Sequence, residues 1–135
     1  SVPILICSET FKLPASYMVA FDGSQTAIKA VDIISKSPLL KGMQGHIVMV
    51  GNDDATSKKS LAAATEQLTV VGFTIEAHQL SASDAVDGLL DFQKQNAVDI
   101  IVVGAYGHSK LQQLFIGSTT TKIIAKTLSP VILIR

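Results

Sequence analysis

Apolar residues along this chain come in short, separated runs: Tyr17 to Phe21, Ile47 to Val50, Ile100 to Val103 and Val131 to Ile134. Runs of this length suit strands covered on both faces, as in a parallel sheet flanked by helices. Between the runs the period lengthens. The strand at 17–21 ends at Asp22, Gly23 and Ser24, and Ser24 is placed to cap a helix in which Ile28, Val31 and Ile34 recur every three residues on one side. Pro38 and Gly42 break the chain before a second strand, 46–50. A polar stretch, 51–59, precedes a helix marked by Leu61, Ala64, Leu68 and Val71, with Gly72 at a C′ position that would close it. Residues 73–79 alternate apolar and polar, which predicts a strand towards a sheet edge. Ser83 is placed to cap a third helix carrying Val86, Leu89, Leu90 and Gln93 along one side. The strand at 98–103 is the most hydrophobic and the best candidate for the sheet centre. A long loop, 104–117, leads to a fourth helix from Ser118 to about Thr127. Pro130 opens a last strand, because it cannot donate to a ladder.

Alternation of strand and helix specifies parallel βαβ units with right-handed crossovers. The predicted fold is α/β: a doubly wound five-stranded parallel sheet with helices on both faces. Numbering its strands in chain order from the one at 17–21, the expected order is 3-2-1-4-5. Chain reversal then falls between the first and fourth strands, where a ligand crevice opens between the loops that follow them. Those loops are 22–24 and 104–117, the two most unusual in composition.

Length and composition narrow the class. A chain of 135 residues is the size of one domain. Its 47% hydrophobic and 16% charged content is apolar for a soluble protein, yet no apolar run approaches the ~20 residues of a membrane helix. A formal net charge of zero offers no long-range attraction to a polyanion, so nucleic acid is not an expected partner, nor is a membrane. Cys7 is alone, which excludes an internal disulfide and fits a reducing compartment. The first apolar stretch is too short for a signal peptide and lacks a basic flank, so the expected location is the cytoplasm. Residues 2–6 echo residues 130–134. Residues 1–14 therefore read either as an N-terminal extension carrying the last strand of a preceding tandem domain plus linker, or as a terminus with a chance apolar run. The domain proper is expected over 15–135.

Candidate chemistry concentrates after the fourth strand. Gly104 and Gly107 are followed, after nine intervening residues, by Gly117 and by Ser118, Thr119, Thr120 and Thr121. Glycines there let a backbone approach a ligand and take positive φ. A helix opening at Ser118 presents amide groups without intrahelical partners, and a phosphate placed on them gains several hydrogen bonds. The dipole contributes only ~0.3–1 kcal/mol, up to ~2 in a partly buried site, against about −8 kcal/mol for micromolar binding. Most of the affinity must therefore come from collected hydrogen bonds and a buried base. A glycine-rich loop with a serine-threonine cap and no ligand fits the same residues.

The spacing Gly104-x2-Gly107-x9-Gly117-Ser118, the segment Ala20-Phe21-Asp22-Gly23-Ser24 and the terminal residues 130–135 resemble the universal stress protein family, over residues 17 to 135. The resemblance implies an adenine-nucleotide α-hydrolase-like sheet and, from the glycine spacing, the ATP-binding type. It implies ATP, ADP or AMP as ligand, with or without Mg²⁺. By this resemblance Asp22 lies at ribose and adenine, with Ala20 and Phe21 beside the base and the backbone of Val50 and Gly51 near adenine. Gly104, Gly107, Gly117, Ser118, Thr119 and Thr120 hold ribose and phosphates, and His108, Ser109 and Lys110 cover the phosphates. The family's usual His-Val pair after its second strand is replaced by Val50-Gly51, and Tyr106 stands where many members carry histidine. The resemblance also implies pairing through the last strand, Val131, Ile132, Leu133 and Ile134, in a homodimer or between tandem domains.

Several of these residues have plainer readings. Asp22 also suits an Asx-turn that helps to cap the first helix. Lys110 and Lys122 read as solvated, and His46 and His78 as surface residues near strand ends. No spacing of histidine, cysteine and carboxylate suggests a zinc site, and no metal ligand is assigned. There is no P-loop, nucleophile elbow or identifiable general base, so no catalytic residue is assigned. The loop from 104 to 121 holds no carboxylate for Mg²⁺. The expected function is a stress-response regulatory domain that binds an adenine nucleotide, non-catalytic or hydrolysing ATP only slowly. A nucleotide hydrolase or adenylyl-transfer enzyme on the same scaffold, and a ligand-free dimerisation domain, are the alternatives.

Overall fold

Side chains alternate across the central strands, which decides the layering. The structure, a computed structural model, describes residues 4–6, 13–51, 53–104, 123 and 130–134. Its strands are β1 (Ile4–Ile6), β2 (Ser16–Ala20), β3 (Gln44–Val50), β4 (Thr74–Leu80), β5 (Ile100–Gly104) and β6 (Val131–Ile134). Its helices are α1 (Gln25–Ser35), α2 (Ala55–Val70) and α3 (Ala85–Gln95). Tyr17 and Val19 of β2, with Ile47 and Met49 of β3, face a core shared with α1 and α2. Met18 and Val48 face the opposite core, with Val86, Leu89 and Phe92 of α3. Ile123, helical and fully buried, joins that second core. Helices thus cover both faces, and β5 and β6 are buried almost throughout.

The sheet order is β1-β6-β5-β2-β3-β4. All pairings are parallel except the one between β1 and β6. Read from the β4 end, the five parallel strands follow the expected order 3-2-1-4-5. The sheet differs in being mixed and six-stranded, because β1 adds antiparallel to β6, with Ile4 opposite Leu133 and Ile6 opposite Val131. The last-strand edge through which pairing with another unit was expected is thereby occupied within the chain. β4 is the opposite edge strand, as its alternation predicts. Asp99 joins the starts of β2 and β5: its Oδ2 accepts from the amides of Ala15 and Ser16 at 2.7 and 3.2 Å.

Helix boundaries follow the caps. Ser24 caps α1, its hydroxyl accepting from the Ala27 amide at 3.2 Å. The buried stripe is Ala27, Ala30, Val31 and Ile34, so Ile28 lies on the flank and is exposed. α2 starts six residues before Leu61, because Asp54 caps it through a 2.7 Å bond from the Ser57 amide. That bond holds the Asp54 carboxyl below its usual range. Gly72 follows with φ +96°, the left-handed geometry expected of it. α3 is capped by Asp84 rather than Ser83, with Asp84 Oδ1 accepting from Val86 and Asp87. Of the predicted fourth helix, only Ile123 is among the described residues. Among the described residues no helix is long and apolar enough to cross a membrane.

One expectation is corrected inside the sheet. His46 is 8% exposed, not a surface residue, and its Nδ1 lies 3.0 Å from Nε2 of His78. Burial lowers its pKa, the neighbouring His78 lowers it further, and Glu76 opposes both. The ring neither swings free nor carries charge easily.

Candidate functional site

β2 and β5 run side by side with Ala20 opposite Val103, and they are the strands at which chain direction reverses. Their carboxyl ends open one cleft. Ala20, Phe21 and Asp22 from the end of β2 line it together with Val103 and Gly104 from β5. Val48 and Val50 of β3 and Ala85 and Leu89 of α3 form the other wall. The crevice therefore stands at the switch point of the parallel sheet, where an open α/β fold leaves room for a ligand.

The strand ends and α3 contribute apolar residues to the wall, with Leu89 on the α3 side. The polar groups gather at the mouth. Asp22 is exposed, and its Oδ1 accepts from the Ser24 amide at 2.9 Å, making the Asx-turn that leads into α1. Gly23 supplies the positive φ of that turn, +78°. The carboxylate thus has both a turn role and a position in the cleft. Among the described lining residues it is the one charged group.

Two helix starts border the cleft, and both are already served by their own side chains. Ser24 satisfies the Ala27 amide of α1, and Asp84 satisfies two amides of α3. An anion gains little at either, and the Asp22 and Asp84 carboxylates repel it.

Gly104 does not take the positive φ expected of it, and a further constraint acts on it. A Cβ there would lie 2.9 Å from the Thr26 carbonyl oxygen and 3.0 Å from Thr26 Cγ2, so the first turn of α1 packs directly on it. A side chain would push α1 off the strand and deform the cleft wall. Gly51 is the left-handed position, φ +101°, and its amide donates to the Leu80 carbonyl at 2.9 Å.

Of the residues predicted for the site, Ala20, Phe21, Asp22, Val50 and Gly104 come together in this cleft. Gly51 follows Val50 at the end of β3 and is not among the lining residues. Gly107, His108, Ser109, Lys110, Gly117, Ser118, Thr119 and Thr120 lie outside the described residues. Ala85 and Leu89 were not anticipated as site residues. Leu89 carried only a core signal, and nothing in its spacing marks the end of α3 that reaches the crevice.

Comparison with known proteins places this geometry. The family model described as the universal stress protein family matches residues 17–135. Universal stress protein Slr1230 of Synechocystis sp. is 34% identical over 135 residues, covering 98% of this chain and 47% of that protein. The chain therefore spans about half the length of that curated relative. Among solved structures, a universal stress protein from Archaeoglobus fulgidus superposes with a TM-score of 0.72 at 23% identity, covering 89% of this chain and 93% of that one. A universal stress protein in complex with cAMP gives 0.74 at 21% identity, with 92% and 98% covered. The Archaeoglobus fulgidus protein in complex with dAMP gives 0.69 at 22% identity, with 89% and 97% covered. With the family model matching nearly the whole chain, the chain belongs to the universal stress protein family.

Proposed function

We propose that this domain binds an adenine nucleotide in the cleft at the carboxyl ends of β2 and β5, and acts through the bound state rather than by turnover. The observation that carries the proposal is the convergence of Asp22, Val50 and Gly104 on one crevice at the switch point. Two structural neighbours are described as complexes with cAMP and dAMP, which supports an adenine ligand. The base lies against Ala20, Phe21 and Val50, and Asp22 accepts from the ribose hydroxyls. The phosphates run past Gly104 to the glycine, serine and threonine residues at 107–120. ATP, ADP and AMP all fit this reading, and hydrolysis, where it occurs, is slow.

Calorimetry with ATP, ADP and AMP on nucleotide-free protein tests it. Asp22→Ala is expected to weaken binding roughly 10–100-fold, the equivalent of a hydrogen bond to a charged group at about 1.5–3 kcal/mol. The exposed turn keeps the fold, as circular dichroism would report. Undiminished affinity in that variant removes Asp22 from the site, and no binding of any adenine nucleotide by the native chain removes the proposal.

A second reading concerns assembly. The antiparallel seating of β1 on β6 is the contact that the last strand of a neighbouring unit would make. We infer that residues 1–14 serve as a strand and linker joining this domain to a preceding one. The 47% coverage of the cyanobacterial relative supports that arrangement.

A further inference from the structure

The parallel register of β3 and β4 brings together side chains far apart in sequence. His46 pairs with Glu76, and Val48 with His78. Glu76 and His78 are two residues apart on one strand, so they share a face, and the register puts His46 on that face too. The three present their donor atoms to one point. His46 Nδ1 lies 3.0 Å from His78 Nε2 and 3.7 Å from Glu76 Oε1, and all three ligand atoms fall within 4.8 Å of one another.

We propose that His46, Glu76 and His78 form a binding site for a divalent transition-metal ion such as Zn²⁺, at the β4 edge of the sheet. Ligands ~2.0–2.1 Å from a tetrahedral ion lie about 3.3 Å from each other, between the two separations found here. Two imidazoles and one carboxylate suit zinc-like ions rather than Mg²⁺ or Ca²⁺, which take oxygen ligands. The inner wall is fixed. Phe92 of α3 packs on both rings, at 5.5 Å from His46 and 4.6 Å from His78 between centroids. Burial also favours the neutral imidazole at His46, the form that offers a lone pair. The outer wall is open, since the Glu76 side chain is 62% exposed and β4 is an edge strand. An ion can enter from solvent there and keep water as its fourth ligand. Without an ion, the two rings simply share one hydrogen bond, and the site is a buried polar pair.

The test is calorimetric titration of the chelator-treated, nucleotide-free 135-residue chain with Zn²⁺ alone. One ion per chain is expected to bind, and Co²⁺ in its place to give the intense visible absorption of a four-coordinate ion. His78→Ala is expected to remove binding, by more than the ~10–100-fold that loss of an outer-sphere partner costs. Glu76→Gln is expected to weaken it, while Glu66→Gln, at an exposed carboxylate of α2, leaves it unchanged. His46 is left native because its buried ring supports the core. If His78→Ala does not fold, the exposed Glu76→Gln decides. No zinc binding by the native chain overturns the proposal, as does native affinity in the folded His78 and Glu76 variants.

Discussion

Tyr17 sits in β2 with its ring over Gly45, its register partner in β3, and any Cβ at Gly45 would collide with Tyr17 Cζ and Oη. The phenol is fully buried, and its hydroxyl has no hydrogen-bond partner among the described residues. Burial pushes its pKa up to about 12 from 10.0. The unfolded chain therefore loses this proton at lower pH than the folded one. Stability from this group is whole below pH 10.0 and falls as pH rises towards about 12. Urea unfolding followed across that window is expected to show the decline, and Tyr17→Phe to lack most of it. At neutral pH the same variant is expected to be as stable as the native chain or more so, by up to about 1 kcal/mol, because it removes a buried unpaired hydroxyl. A large loss of stability in Tyr17→Phe at neutral pH would show that the hydroxyl has a partner. This residue was legible only as part of an apolar run, since its fit over Gly45 depends on the register between two strands. Gly104 lines the cleft, as expected from its place after the strand, but the packing that excludes a side chain there was not foreseen. Its neighbour, Thr26, becomes visible only once α1 folds back on the sheet.

Caps decided how well the helices could be read. Gly72, following a clear apolar stripe, marked the end of α2, and Ser24 marked the start of α1. The start of α2 was hidden because its first turn and a half, from Ala55 to Ser60, is polar, and apolar period alone begins at Leu61. The end of α3 is followed by Ala97 at φ +51°, a position where glycine would have been the readable sign. Asp54 is the side chain on which that polar start depends. Asp54→Ala is expected to lower the denaturation midpoint, with helix content otherwise retained. Chemical denaturation with an unchanged slope would report it. The effect should appear at neutral pH and fade in acid, where the native carboxyl is itself protonated. An unaltered midpoint at pH 7 would mean that the last turns of α2, packed through Ala64 and Leu68, hold the helix alone.

The sheet was readable because strands alternate with helices from β2 to β5, which leaves few right-handed arrangements. The crevice followed from that order, so Asp22 and Gly104 were found together without any knowledge of side-chain contacts. The site made by β3, β4 and α3 was not, because His46 and the Glu76–His78 pair meet only through parallel register, and no short spacing encodes it. The same dependence on pairing governs the far edge. β6 is buried by core packing on its faces, and among the described residues its outer hydrogen-bonding edge is closed by the three residues of β1. Ile4 and Leu5 are themselves exposed at 42% and 56%, so β1 is held mainly by backbone bonds and is the weakest strand of the sheet. Removing residues 1–12 leaves an unprotected apolar strand, a template for a second copy. The shortened chain is expected to self-associate through β6, with a mass by sedimentation that rises with concentration, while the full chain at equal concentration associates less. Lys in place of Ile132 does not serve as the control, because that side chain is in the core. A soluble fusion that restores residues 2–6 does, and should return the mass to that of the full chain. If the shortened chain shows no such rise in mass, β1 is not what protects the β6 edge, and strand exchange at that edge is not a route to association.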